Sequence, residues 1–550
     1  MNISSENSYI KINRNNSGSL ALEPIDVKEW QKLYHLPPAP SEIPPELSLK
    51  RNPENDGNLT SPKKRIFENE TEREKTFDTI DQLAKKANKI FESQSFNLSN
   101  FIFNKKGEIQ LTVGKLKFLF NLLGEKEFKE CRARKKSPET CPCVLIAASI
   151  TQITFEQNLP LPLWKKVSPE EELIKYANRI STPASRIGLL KQKQWTTFSG
   201  KGPKEFIEDT SELQYVIQAN FTPYGRRVSN HFTALHRMRV ATGQGVTRSP
   251  LWRWDQKNPR YSTFRKALIR AHKMLPKETK ESKILVPIYK IREAHLRAGM
   301  ASQHAPESVT ALLDLISLIT GVTLNELTIF DPCGGWGDRM VGAMGDKRVI
   351  QYIYNDANDQ ILSKINELTK LLSKNFPEKM ISVINSPIEK LDVTPYLELA
   401  DIIFTSPPYY TTELYEGEES SLQYIHRNSH GDCDDNISFP SWLDNFFMKM
   451  LEQCDRVLRP GGYLAINIDD VKVRSHKKKK VNSLLEKHYV YQVNNDLFFD
   501  LNRPLIRKMK SLKYQFIKVV GYAMTKGGVT SSKTIAEPLW IWKKPVVLSI

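Results

Sequence analysis

Apolar positions change their period along this chain. From Thr76 to about Pro160 they recur every three or four residues: Phe77, Ile80, Ala84, Ala87 and Phe91, then Leu116, Leu119, Phe120 and Leu123. That spacing predicts a small helical domain. Val144 to Thr154 is apolar enough to be a buried helix or a buried strand. Beyond Leu327 the pattern shifts to short continuous runs, Leu327–Phe330, Ile350–Asp356, Met380–Ile384 and Ala400–Phe404, with helical stretches between them. Alternation of that kind predicts a doubly wound parallel sheet. Trp442 to Arg459 reads as an amphipathic helix, Arg459 to Ile468 as a turn and strand, and Tyr514–Met524 with Leu539–Lys543 as a closing antiparallel pair.

Two stretches lack either period. Met1 to about Lys75 has seven prolines between Pro37 and Pro62 among Ser, Asn and Glu, too few apolar residues to offset the ordering entropy. Trp164 to Gln218 is harder to read, apart from a helix start at Pro169–Glu172 capped by Ser168. The expected organisation is a disordered Pro-rich segment (1–75), a helical domain (76–200), a basic aromatic-rich region (201–290) and an α/β domain (291–550).

Charge alters this picture in one place. The chain carries +18, which suggests an anionic partner, nucleic acid ahead of a membrane surface. Phe221 to Lys273 holds twelve Arg/Lys against one acid, Asp255, with Tyr224, Phe232, Trp252, Trp254, Tyr261 and Phe264 interleaved. Cations neutralise phosphates and aromatic rings receive unstacked bases, so this block is the candidate nucleic-acid surface. Its leading residues are Arg226, Arg227, Arg237, Arg239, Arg248, Arg253, Arg260 and Arg265. Arg474, Lys477–Lys480 and a run from Arg503 to Lys513 are further candidates for gripping phosphate. No apolar run reaches membrane-span length, and the N-terminus lacks a signal-peptide pattern. Six scattered cysteines without metal-ligand spacing suggest reduced thiols in an intracellular compartment, cytoplasmic or nuclear, and no metal site.

Chemistry concentrates in two turns. The first, Asp331-Pro332-Cys333-Gly334-Gly335-Trp336-Gly337, follows a strand and enters a helix. Glycines there let a ligand approach backbone and the helix's free N–H groups. About 20 residues on, Asp356 ends the second strand. A carboxylate so placed can accept both ribose hydroxyls, a better fit than a cap on the helix Asn358–Leu371. The second turn, Ser406-Pro407-Pro408-Tyr409-Tyr410, follows the fourth strand.

Together the turns resemble the S-adenosylmethionine-dependent amino-methyltransferases, which methylate exocyclic amino groups of DNA bases. The likeness covers roughly Arg297 to Lys544. It implies a Rossmann-like class I methyltransferase sheet in the C-terminal half, after a mainly helical N-terminal region. It implies S-adenosyl-L-methionine as cofactor, held by Asp331, Cys333, Gly334, Gly335, Gly337 and Asp356. Asp331 would accept the methionine ammonium, and Met300–Pro306 would lie over that end. Asn385, Ser386 and Glu389 stand where they could touch the adenine. Ser406, Pro407, Pro408 and Tyr409 form the catalytic (Asp/Asn/Ser)-Pro-Pro-Tyr motif, with Tyr409 and Tyr410 stacking on a flipped base. A leading serine leans toward N4 of cytosine over N6 of adenine. DNA is the expected partner, with RNA, or an inert fold that only binds nucleic acid, as alternatives. Thr411 to Asn436 reads as a flap or a solvated loop.

Overall fold

The computed structural model describes residues 9–14, 20–25, 70–104, 108–124, 141–162, 167–181, 189–192, 195–202, 214–218, 223–242, 248–275, 280–297, 299–410, 412–415, 435–473, 489–523 and 534–546. Chain contacts divide the protein into two compact units. The first comprises Met1–Leu59, Lys166–Arg237 and Ser302–Ile550; the second comprises Thr60–Lys165 and Met238–Ala301. This division by contacts does not follow the expected boundaries at 200/201 and 290/291. The basic block does not form a region of its own, because its first helix packs with the sheet-bearing unit and the rest with the helical one.

In the first unit the elements run α1 (Pro169–Ser181), β1 (Leu189–Gln192), β2 (Gln214–Gln218), α2 (Tyr224–Arg237), α3 (Glu307–Thr320), β3 (Leu327–Asp331), α4 (Asp338–Gly345), β4 (Val349–Asn355), α5 (Leu362–Asn375), β5 (Met380–Ile384), β6 (Ala400–Thr405), α6 (Met448–Val457), β7 (Leu458–Asn467), α7 (Asn502–Ser511), β8 (Gln515–Ala523) and β9 (Glu537–Lys543). The nine strands form one sheet in the order β5-β4-β3-β6-β7-β9-β8-β2-β1. From β5 to β7 all pairs are parallel, while β9 runs antiparallel to both β7 and β8. This is the α/β sheet expected from the apolar runs, with the Rossmann-like order that the resemblance implies. Every residue of β3 is buried, as a central strand covered on both faces requires.

Chain direction across this sheet positions the site. From β3 the chain winds outward through β4 to β5, then returns to lay β6 on the other side of β3. Ile402 and Ile403 pair with Ile329 and Phe330, so the carboxyl ends of β3 and β6 lie side by side. Their connections leave in opposite directions and open a crevice between them.

Two strands were not legible. β2 pairs parallel with β8, and β1 pairs antiparallel with β2, extending the sheet from the hard-to-read stretch before residue 219. Leu-Leu-Lys-Gln and Gln-Tyr-Val-Ile-Gln are too short for a period to show. Part of the segment expected to be disordered is also structured: Tyr9–Arg14 and Leu20–Ile25 pair as antiparallel strands. Ile10 and Ile12, like Leu20 and Leu22, follow the period of two that favours a strand. The Pro-rich stretch between Pro37 and Pro62 lies outside the described residues, as does the basic run Lys477–Lys480.

The second unit is helical. Glu70–Ser93, Pro142–Glu156 and Lys257–Met274 pack together, and Val144–Thr154 proves to be helix. Ile80, Ala84, Ala87 and Phe91 line its core at the expected spacing. Cys141 is disulfide-bonded, which corrects the expectation of reduced thiols throughout, whereas Cys143, Cys333 and Cys454 carry thiols. Among the described residues no helix is long and apolar enough to cross a membrane.

Candidate active site

The turn after β3 is shaped by its glycines. Gly335 and Gly337 have φ of 55° and 78°, a left-handed backbone that residues with a side chain rarely adopt. A Cβ on Gly334 would lie 2.2 Å from the Tyr354 ring. Asp356 ties this turn to the end of β4. Its Oδ2 accepts from the Gly335 N–H at 2.8 Å and its Oδ1 from the Asn358 N–H at 3.0 Å. Burial raises the Asp356 carboxyl above its ordinary range, against those two bonds.

The turn after β6 faces the same space. A cleft with about 1070 Å³ of empty volume is lined by Cys333, Gly334, Gly335 and Asp356 on one side and by Ser406, Pro407, Pro408 and Tyr409 on the other. The structure thus brings together eight residues selected from sequence. Ser302 and His304, from the segment before α3, line it as well.

Asp331 needs correction. Its side chain is fully buried and is not among the cleft-lining residues. Arg339 Nε donates to its Oδ2 at 2.7 Å, Arg339 Nη2 to its Oδ1 at 3.1 Å, and the Tyr352 hydroxyl to Oδ2 at 2.6 Å. With its lone pairs so engaged, Asp331 orients Arg339 rather than a ligand. Arg339 does line the cleft. Burial opposes its charge, yet the Asp331 carboxylate holds it above the usual guanidinium range. Gly337 also lies outside the cleft lining, and its role is the left-handed start of α4. Asn385, Ser386 and Glu389 do not line it either; Asn385 binds the Asp356 carbonyl at 2.8 Å.

Tyr410 is corrected too. It is 1% exposed, with its ring 5.0 Å from Phe439, 5.6 Å from Trp442 and 5.1 Å from Phe499. Its φ of 50° is left-handed, a strain held in place by this aromatic packing. Tyr410 therefore anchors the Ser406–Tyr409 loop in the core and is not available to stack on a base.

The arginines expected to grip phosphate divide. Arg237 is 3% exposed and donates to Asn230 at 2.6 Å; burial lowers its pKa to about 10. Arg253 is buried and donates to the carbonyls of His295 and Gly299, and Arg260 to those of Trp254 and Thr154. Arg226 turns to the carbonyls of Gln303 and His304, and Arg227 pairs with Glu172 at 3.1 Å. Carbonyl oxygens and distant acids absorb these charges, which a count of local acids could not show. Arg239 is half-buried, and Arg248 is exposed with its guanidinium 5.6 Å from the Trp252 ring.

Several cleft residues were not singled out on sequence. Asp338 accepts from Gln303 Nε2 at 2.8 Å and from Ser229, and burial raises its pKa to about 6. Glu413 accepts from the Ser302 N–H at 2.8 Å. Glu537, on β9, lines the cleft and meets the Tyr409 hydroxyl at 3.0 Å, while the Asn467 carbonyl lies 3.1 Å from the same hydroxyl. One hydroxyl proton cannot serve two acceptors. The arrangement is complete when Glu537 is protonated and donates to Tyr409, which donates to Asn467. Burial, reinforced by Glu413 and against the Tyr409 bond, raises Glu537 to about 7, in keeping with that arrangement. Nothing local in Ala536-Glu537-Pro538 signals it; β9 has to be placed beside β7 first.

Two predictions follow from these geometries. Asp331→Asn leaves a buried guanidinium without its counter-charge, and should cost about 3–5 kcal/mol, read as a lower urea-unfolding midpoint. An unchanged midpoint would contradict the pairing. For Glu537, the folded protein keeps a proton up to about pH 7 that the unfolded chain releases near the ordinary carboxyl value. Its contribution to stability therefore falls as pH rises across that window. Thermal midpoints between pH 5 and 8 should fall less in Glu537→Gln than in the unaltered protein. The other raised acids, Asp338, Asp356, Glu413, Asp469 and Asp500, are present in both proteins and act with the same sign.

Comparison with known proteins adds to this geometry. Three solved structures are similar in part: an S-adenosylmethionine-dependent methyltransferase from Methanosarcina mazei (12% identity, 42% of this chain and 97% of that one, TM-score 0.26), one from Mesorhizobium loti (10%, 43% and 99%, 0.24) and a methyltransferase from Pyrococcus furiosus (13%, 42% and 82%, 0.23). The strand order, not these likenesses, defines the fold of this chain. No curated protein sequence is significantly similar to it. Residues 400–534 match the family model for DNA methylases of the N6/N4 type, a span that includes the Ser-Pro-Pro-Tyr turn and Asp469-Asp470. Over that span the chain is similar to the N4/N6 amino-methyltransferase family.

Proposed function

We propose that this protein transfers a methyl group from S-adenosylmethionine to an exocyclic amino group of a base in DNA, N4 of cytosine ahead of N6 of adenine. The observation that carries this reading is the shared cleft. The glycine turn after β3 and the Ser406–Tyr409 loop after β6 line one cavity, with Asp356 at its wall. The residues present fit the cofactor. A Cβ on Gly335 would meet nothing nearer than the Cys333 carbonyl at 4.0 Å, so this wall is open backbone. Asp356 is the acceptor for ribose hydroxyls. Arg339 spends Nε and Nη2 on Asp331 and the Cys333 carbonyl. Its Nη1 makes no hydrogen bond to a described residue and is the group for the methionine carboxylate.

The cofactor, when bound, supplies an electrophilic methyl group. The chain's own task is to present the nucleophile. An exocyclic amino nitrogen is a poor one because its lone pair is delocalised into the ring. Ser406 Oγ and the Pro407 carbonyl accept hydrogen bonds from its two N–H groups, favouring pyramidal nitrogen with its lone pair localised. The paired prolines fix the loop backbone and bring no competing donor. Tyr410, locked in the core, and Tyr409, held by Asn467 and Glu537, keep that loop in one position. The amino proton becomes acidic only as the N–C bond forms, so positioning and electrostatics carry the rate.

The test is mass spectrometry of nucleosides from DNA, and separately RNA, incubated with isotopically labelled cofactor. Labelled N4-methylcytosine or N6-methyladenine from DNA is expected; label in RNA alone, or none, contradicts the reading. Ser406→Ala should lower the transfer rate by about 10²-fold while calorimetric cofactor affinity stays unchanged. Full activity in that variant would remove Ser406 from its role.

A further inference from the structure

Net charge is partitioned unevenly between the two units. The helical unit, Thr60–Lys165 with Met238–Ala301, holds 34 Lys/Arg against 17 Asp/Glu, a net of +17 out of +18. The unit that contains the cleft is nearly neutral. A polyanion meeting this protein is therefore attracted to the helical unit, whatever the cleft does.

The unit's surface has the chemistry to use that attraction. On the helix Lys257–Met274, Thr263, Phe264, Ala267, Leu268, Ala271 and His272 face inward. Lys266, Arg270 and Lys273, four and three residues apart, are exposed on the other side and enter no ion pair with a described residue. Lys85, Lys86 and Lys89 of the helix Glu70–Ser93 are exposed as well. Four of the five exposed aromatic rings among the described residues also belong to this unit: Phe118, Phe155, Trp252 and Tyr289, against Phe198 elsewhere. Trp252 is 42% exposed with the Arg248 guanidinium beside its ring. Cations for phosphates with open rings for bases make a surface suited to nucleic acid that has unstacked bases.

We propose that the helical unit is the nucleic-acid grip of this protein, with Lys266, Arg270 and Lys273 on phosphates and Trp252 stacking an unpaired base. The inference deepens the function proposed above and shares its substrate class, but its test needs neither cofactor nor methyl transfer. A chain that grips nucleic acid here yet transfers nothing would sink the earlier reading and leave this one standing.

The experiment uses the full chain and fluorescence anisotropy with a labelled single-stranded oligonucleotide and its duplex, across a salt series. The variant K266Q/R270Q/K273Q should bind more weakly and lower the slope of log affinity against log salt by about 2 for the single strand. A removal of three lysines on the other unit that carry no proposed phosphate contact, K347Q/K370Q/K374Q, should leave the slope near its original value. Trp252→Ala should weaken the single strand more than the duplex. Circular dichroism melts confirm that each variant is folded. An unaltered slope in the first triple variant, or equal losses in both triples, would overturn the assignment of the grip to the helical unit. Equal affinity of Trp252→Ala and the unaltered protein for the single strand would overturn the stacking role.

Discussion

The arrangement depends on one crossing of the chain. Having wound outward from β3 to β5, it returns to place β6 directly beside β3. Parallel neighbours whose connections depart in opposite directions cannot close the space above their carboxyl ends. Both turns that carry chemistry sit at those ends. The cleft is thus a consequence of topology, and the local residues decide what it can hold. Glycines keep the β3 side as bare backbone, and prolines stiffen the β6 side.

Buried ionic pairing then sets which groups reach the cleft. Asp331 is the most conspicuous acid of the glycine turn, but it faces Arg339 and Tyr352 within the core. The interaction converts a carboxylate into a support for a guanidinium, and reverses the charge presented at that point. Across the cleft the pattern is opposite. Glu537 meets no cation among the described residues, and burial raises its carboxyl to about 7, so the protonated form that can donate to Tyr409 is populated around neutral pH.

The sheet's main strands could be read from the sequence because parallel strands buried on both faces are continuous apolar runs. Ala400–Phe404, read as a strand from its apolar run, is one to within a residue, Ala400–Thr405, and all but Asp401 of it is buried. β1 and β2 could not be read, since four or five residues offer no period, and β2's partner β8 lies about 300 positions away. Within the site, sequence selected the residues that occupy strand ends, such as Asp356 and Ser406. It failed where a role depends on tertiary neighbours. Tyr410 is indistinguishable from Tyr409 until its ring is seen among Phe439, Trp442 and Phe499. The basic block misled for the same reason. Its charge was legible, but carbonyl acceptors and remote acids are invisible in a linear count, and those decided the fate of Arg237, Arg253 and Arg260.

The claim at the centre is that donor and acceptor meet between the β3 and β6 turns. Its most direct test is an experimental structure of the protein with S-adenosylhomocysteine. The account predicts the ribose on Asp356, the carboxylate on Arg339, and the sulfur facing the Ser406–Tyr409 loop across the cleft. Ligand density elsewhere in the protein, or in the cleft with its sulfur turned away from Ser406, would contradict it.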